Sequence, residues 1–241
     1  MPDRESPTVV APRRRSLHGF TLVELLVVIV IIAALAGLTA PMVIRQRKKA
    51  DQTEAVNNAR QVGLALFEFE TEYGSFPDDS TGDAVAKATD TTKVSGTSAN
   101  DKFRQLIRAG IAQSEAMFYA KTAYTRKPDG IFTTDVQALA DGEVGFGILT
   151  SADDKGLSAA GNPSRPILAA PFAIAMDGTF DSDFYDGKAV VLKLDNSVTS
   201  VPIVKSTGKV LISGKGLLET GADTVWGVDV NPKWAYPKKK Q

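Results

Sequence analysis

Arg13-Arg14-Arg15-Ser16-Leu17-His18-Gly19-Phe20-Thr21-Leu22-Val23-Glu24 runs directly into residues 25–40, a stretch without a single charge. A basic leader ends at a glycine, and an apolar run starts one residue later with one acid, Glu24, inside it. A carboxylate facing hydrocarbon is expensive, so an ordinary membrane anchor has no use for it, and its presence asks for a partner. Residues 20–40, at about 1.5 Å per residue, span roughly 30 Å, the thickness of a bilayer's hydrocarbon core. An ordinary secretory signal would have a shorter apolar core and a small-x-small cut site at its far end; here length is followed by Pro41.

Gly19-Phe20-Thr21-Leu22-Val23-Glu24 followed by apolar residues resembles the class III signal of type IV prepilins and type II secretion pseudopilins. The resemblance implies that a prepilin peptidase cuts between Gly19 and Phe20 and methylates the new amine of Phe20. It further implies that Glu24 meets the charged N-terminus of a neighbouring subunit, and that the helix loosens near Pro41 as a filament assembles. The implied partners are homologous pilin or pseudopilin subunits, the peptidase, and an inner-membrane assembly platform with its ATPase. The implied location is the bacterial inner membrane, crossed once with the head extracytoplasmic, and a periplasmic or surface filament after assembly. Secretion pseudopilus and type IV pilus are both open, as are major and minor subunit. The competing reading is a membrane-anchored extracytoplasmic binding domain or enzyme that does not polymerise, in which Glu24 is incidental.

Composition narrows the chemistry. The 28 Lys and Arg balance the 28 Asp and Glu, so no charge excess points to nucleic acid. The leader holds four Arg against Asp3 and Glu5, and its removal leaves a mildly acidic chain. There is no cysteine, and the one histidine, His18, lies in the leader. Cleavage after Gly19 would therefore exclude Ser-His and Cys-His nucleophile pairs, His-ligated zinc and thiolate metal sites. Carboxylate pairs, a lysine base and calcium ligands survive that exclusion. No catalytic residue is assigned, and an enzyme is not expected. Many pilins carry a C-terminal disulfide, so its absence fits a pseudopilin or minor pilin better. Arg45, Arg47, Lys48 and Lys49 beyond the apolar run match Arg4, Arg13, Arg14 and Arg15 in number, so the positive-inside count is a tie and orientation rests on the resemblance.

Beyond Pro41, which would kink or open a helix, Ala55, Ala59, Val62, Leu66, Phe69 and Tyr73 recur at steps of three and four. One helix is predicted to about Tyr73, ended by Gly74-Ser75-Phe76-Pro77. Residues 78–100, rich in Asp, Ser, Thr, Gly and Ala, read as a long mobile loop. Residues 101–120 recover a helical pattern with a break at Gly110. From about Glu143 short β-rich runs follow at 144–149, 167–176, 188–194, 198–204 and 210–212, with a hairpin turning at Asp195-Asn196. The expected fold is α+β and pilin-like: leader 1–19, membrane and assembly helix 20–40, amphipathic continuation 41–77, loop and second helix 78–142, and an antiparallel β head 143–241.

Asp181, Asp183 and Asp186 could ligate calcium, as loops in some pseudopilins do, although the spacing is not an EF-hand and Asp and Gly also dominate ordinary turns. No other cofactor is expected. Gly208, Gly214 and Gly216 read as turns rather than a phosphate loop. Trp226, Trp234 and Tyr236 fit either satellite core or an aromatic binding surface. Lys238, Lys239 and Lys240 read as a solvated tail.

Overall fold

The computed structural model describes residues 20–132 and 137–241, and the chain divides after Ile44 into two compact units. Helix α1 (Leu22–Tyr73) contributes to both and is helical through Pro41 without a break. In the first unit all its described side chains from 22 to 44 are exposed. Among the described residues α1 is the one helix long and apolar enough to cross a membrane, with an 18-residue window of mean hydropathy 2.8.

In the second unit the helical period has a physical target. Ala55, Ala59, Val62, Leu66 and Phe69 are completely buried and form part of one core with the sheet. The Phe69 and Tyr73 rings sit 4.7 Å apart at the end of this stripe. The helix stops where Gly74 takes a φ of +88° and its N–H donates to the Glu70 carbonyl at 2.7 Å, the left-handed cap that glycine adopts without steric cost.

The loop expected over residues 78–100 is instead largely helical. Helix α2 (Asp79–Thr89) starts with a reciprocal cap: the Thr81 amide donates to Asp78 and the Asp78 amide to the Thr81 hydroxyl. Its composition of small and polar residues hides it, since only Thr81, Gly82 and Val85 are buried. Gly82 lies so close to the Val94 carbonyl that a Cβ would collide with it, and Gln105, also close by, bonds both the Thr81 hydroxyl and the Asp78 carbonyl. Helix α3 (Ala99–Arg108), capped by Ser98, ends just before Gly110, where a break was expected; a 3₁₀ turn (Glu115–Phe118) replaces the rest of the anticipated helix. Phe103 and Phe118 stack across that gap at 4.9 Å.

Among the described residues seven strands make one antiparallel sheet: β1 (Gly147–Ser151), β2 (Pro166–Ala170), β3 (Lys188–Lys193), β4 (Val198–Val204), β5 (Lys209–Ile212), β6 (Lys215–Gly216) and β7 (Pro232–Ala235). Their order is β6-β5-β4-β3-β2-β1-β7, so the last strand returns to the far edge and pairs with β1. The β3–β4 hairpin turns at Asn196, whose φ is +60°, with Ser197 N–H donating to the Asp195 carboxylate. β6 and β7 had no sequence signal: one is two residues long, and the other begins with a proline, which an edge strand tolerates. Trp226 and Trp234 are core, which settles the aromatic question toward packing. The basic tail is strapped down rather than free. Lys238 N–H donates to the Asn100 side chain, Gly142 N–H to the Lys238 carbonyl, and Lys240 N–H to the Tyr124 carbonyl.

Candidate functional site

The site the sequence singles out sits at the start of α1. Gly19 and the leader lie outside the described residues; Phe20 is described and largely exposed. Thr21 and Glu24 form a reciprocal cap on the helix. Thr21 N–H and Oγ1–H both donate to Glu24 Oε2, at 2.9 and 2.7 Å, and Glu24 N–H returns a bond to Thr21 Oγ1 at 3.2 Å. The spacing of Thr and Glu three residues apart is that of a capping box, which satisfies amide donors the first helical turn leaves open. Both bonds to the carboxylate fall on Oε2, so Oε1 takes part in neither. Negative charge in the first turn also complements the helix dipole. The local fold thus fixes where the acid stands, beside the residue that becomes the N-terminus if the leader is cut.

Further along, Gly37 has open space around its backbone, and the Thr39 hydroxyl donates to the Leu35 carbonyl, which satisfies it inside the apolar helix. Arg45, Arg47, Lys48 and Lys49 follow immediately, so the apolar face ends in a basic collar.

Asp181, Asp183 and Asp186 are not brought together as a ligand set. Asp181 Oδ1 accepts the Asp183 N–H at 2.9 Å, and Tyr185, Asp186 and Gly187 take positive φ, so the loop is a series of turns. Among the described residues the carboxylates that do converge are Glu115, Asp129 and Glu143, one oxygen of each within 4.8 Å of the others. Sequence reading missed them because 14 and then 14 residues separate them, with no motif spacing.

Comparison with known proteins fits these features. Residues 14–40 match the family model described as the prokaryotic N-terminal methylation motif. The chain is 28% identical over 144 residues to the type II secretion system core protein G of Klebsiella michiganensis, covering 59% of this chain and 87% of that relative. The protein of the same name from Aeromonas hydrophila is 37% identical over 65 residues, 27% of this chain and 46% of the relative. A fimbrial protein of Neisseria meningitidis is 35% identical over 72 residues, 30% of this chain and 42% of the relative. No solved structure matches the chain.

Proposed function

We infer that this chain is a type IV pilin-like pseudopilin, a structural subunit of a type II secretion pseudopilus. The observation that carries the reading is the methylation motif at residues 14–40, placed at the head of an apolar helix that holds one capped acid. The secretion branch is preferred to the pilus branch because the similarity to the core protein G of Klebsiella michiganensis extends over most of that relative, whereas the fimbrial similarity covers less than half of its own.

In this account the leader is cut after Gly19 by a prepilin peptidase and the amine of Phe20 is methylated. Residues 20–40 hold the subunit in the inner membrane, crossing it once with the head extracytoplasmic, until a platform and its ATPase extract it. Glu24, held upright by Thr21, presents Oε1 to the charged N-terminus of a neighbouring copy. That pairing offsets the burial of both charges inside a dry helix bundle and sets axial register. Helical backbone through Pro41 lacks one amide donor and is the natural place to loosen when subunits pack. The account needs no catalytic step, and with His18 in the leader the cut chain would contain neither His nor Cys.

The test is assembly of Glu24 variants expressed beside wild type. Glu24→Leu should insert and be processed normally, since it replaces an acid by an apolar residue at membrane depth. Its incorporation into sheared filaments should fall by more than about tenfold, because the partner's ammonium is then buried without its counter-charge. Glu24→Asp should lie between the two. Incorporation of the leucine variant at the wild-type level would remove Glu24 from the mechanism.

A further inference from the structure

Charge is partitioned along the head's part of α1. Arg45, Arg47, Lys48 and Lys49 gather at one end, and Glu68, Glu70 and Glu72 at the other. Among the described residues none of the four cations forms an ion pair, and neither does Glu68 or Glu72. Other acids of this stretch are used by the head itself: Asp51 pairs with Lys121 at 2.9 Å, and Glu70 accepts the Ala159 amide at 2.8 Å. Glu54 and Arg60, between the two groups, are single and of opposite sign. The helical period puts the unpaired charges on the side turned away from the core. Lys49, Thr53, Asn57, Arg60, Leu64 and Glu68 ascend in steps of three and four to Glu72, and all are exposed, the apolar Leu64 at 59%. The buried stripe from Ala55 to Phe69 runs along the opposite face.

The spacing of the two groups is matched. Arg45 and Lys49 lie one turn apart on one face, as do Glu68 and Glu72, and Arg45 to Glu68 and Lys49 to Glu72 are each 23 residues, about 35 Å of helix at 1.5 Å per residue. Subunits extracted from one membrane run parallel. In register, two parallel copies would set collar beside collar and acid beside acid, and like charges face to face are penalised. Sliding one copy along the helix by 23 residues brings both pairs of opposite charges together at once. We propose that this exposed face of α1 docks a second copy of the chain, parallel and displaced by about 35 Å, with Arg45 and Lys49 of one copy against Glu68 and Glu72 of the next. The inference rests on the pseudopilin reading and adds an axial stagger to it. Because the contact joins different patches on the two copies, it is heterologous and propagates as an open filament instead of closing a dimer. Exposed ion pairs are individually weak, so these pairs select the register more than they supply affinity.

The test is charge reversal in the full chain, read as incorporation into sheared filaments. Arg45→Glu with Lys49→Glu, and separately Glu68→Lys with Glu72→Lys, should each lower incorporation at least about tenfold when expressed alone, since each sets like charges face to face. Co-expression of the two double variants should return incorporation to within about twofold of wild type, and so should all four reversals in one chain, because opposite charges then meet again. Each variant should still begin at Phe20 and keep the wild-type tryptophan unfolding curve, which separates docking from processing and folding. Wild-type incorporation of either double variant alone would overturn the stagger. So would a loss that neither co-expression nor the fourfold variant repairs; if that loss were confined to the collar variant, the collar's partner would be anionic phospholipid head groups. The pseudopilin reading survives both of these results as long as the wild-type chain begins at Phe20 and forms filaments, whereas a wild-type chain that forms none would remove both.

Discussion

Residues 22–44 and residues 45–73 lie on one continuous helix, yet their apolar side chains meet opposite fates. Every described side chain from 22 to 44 is exposed, with Leu38 at 77%, whereas Ala55, Ala59, Val62, Leu66 and Phe69 are at 0%. The first segment is apolar around its whole circumference; the second is apolar on one stripe and charged elsewhere. A stripe is what a helix needs to pack on its own sheet. An all-round apolar surface finds its partner outside the chain, in lipid or in neighbouring helices. The second region is therefore explained by its own core, and the first only by its surroundings.

That contrast predicts opposite responses to the same kind of substitution. Both tryptophans, Trp226 and Trp234, lie in the second compact unit, residues 45–241, so their fluorescence reports unfolding of the head alone. Phe69→Ala should cost the head about 3–5 kcal/mol in urea unfolding of the full chain in micelles. Val27→Ala should leave that unfolding curve unchanged, and a shift of comparable size would mean that the apolar helix start belongs to the head's core. Glycines sharpen the point. A Cβ at Gly145 would strike the backbone of Ala120, which has no flexible end to move aside, so Gly145→Ala should cost about 1–3 kcal/mol. Gly37 has nothing within reach of a Cβ, and Gly37→Ala should leave head stability untouched.

A smaller effect is expected at Asp78, which caps α2 and also accepts the Gly156 amide at 3.0 Å. Burial alone would raise its pKa, but the donors Thr81, Gly156 and Ser80 outweigh burial and hold it below the ordinary carboxylate value. Its contribution is therefore present above the unfolded-state pKa and is lost as pH falls through the lower folded-state value. Asp78→Ala should cost about 0.5–2 kcal/mol at neutral pH. The variant should also lose less stability than wild type when the pH is taken into that acid range; parallel curves would show that the carboxylate's charge is not what stabilises the cap.

What the sequence made legible follows the same division. The apolar start of α1, its single acid and its length could be read because few residues fit a membrane and each exception stands out. In the head, the helical stripe to Tyr73 and the Asp195-Asn196 hairpin were legible because burial imposes a period and positive φ selects Asn. Helix α2 was not, since it is built from small polar residues and held by a cap and by contacts with Gln105, which no local period announces. The strapping of Lys238 and Lys240 depends on groups more than a hundred residues away, Asn100 and Tyr124, and the meeting of Glu115, Asp129 and Glu143 depends equally on tertiary placement. Local charge suggested a free tail and a calcium loop at Asp181–Asp186, and long-range geometry decided otherwise for the tail and gathered a different set of carboxylates.

The central claim, that the chain is matured as a pilin-like subunit, is tested most directly by intact-mass analysis of the protein purified from membranes of cells with an active prepilin peptidase. The account predicts a single mature species beginning at Phe20 and carrying one N-methyl group. A stable chain that still begins at Met1, or one cut at any position other than Gly19-Phe20, would contradict it.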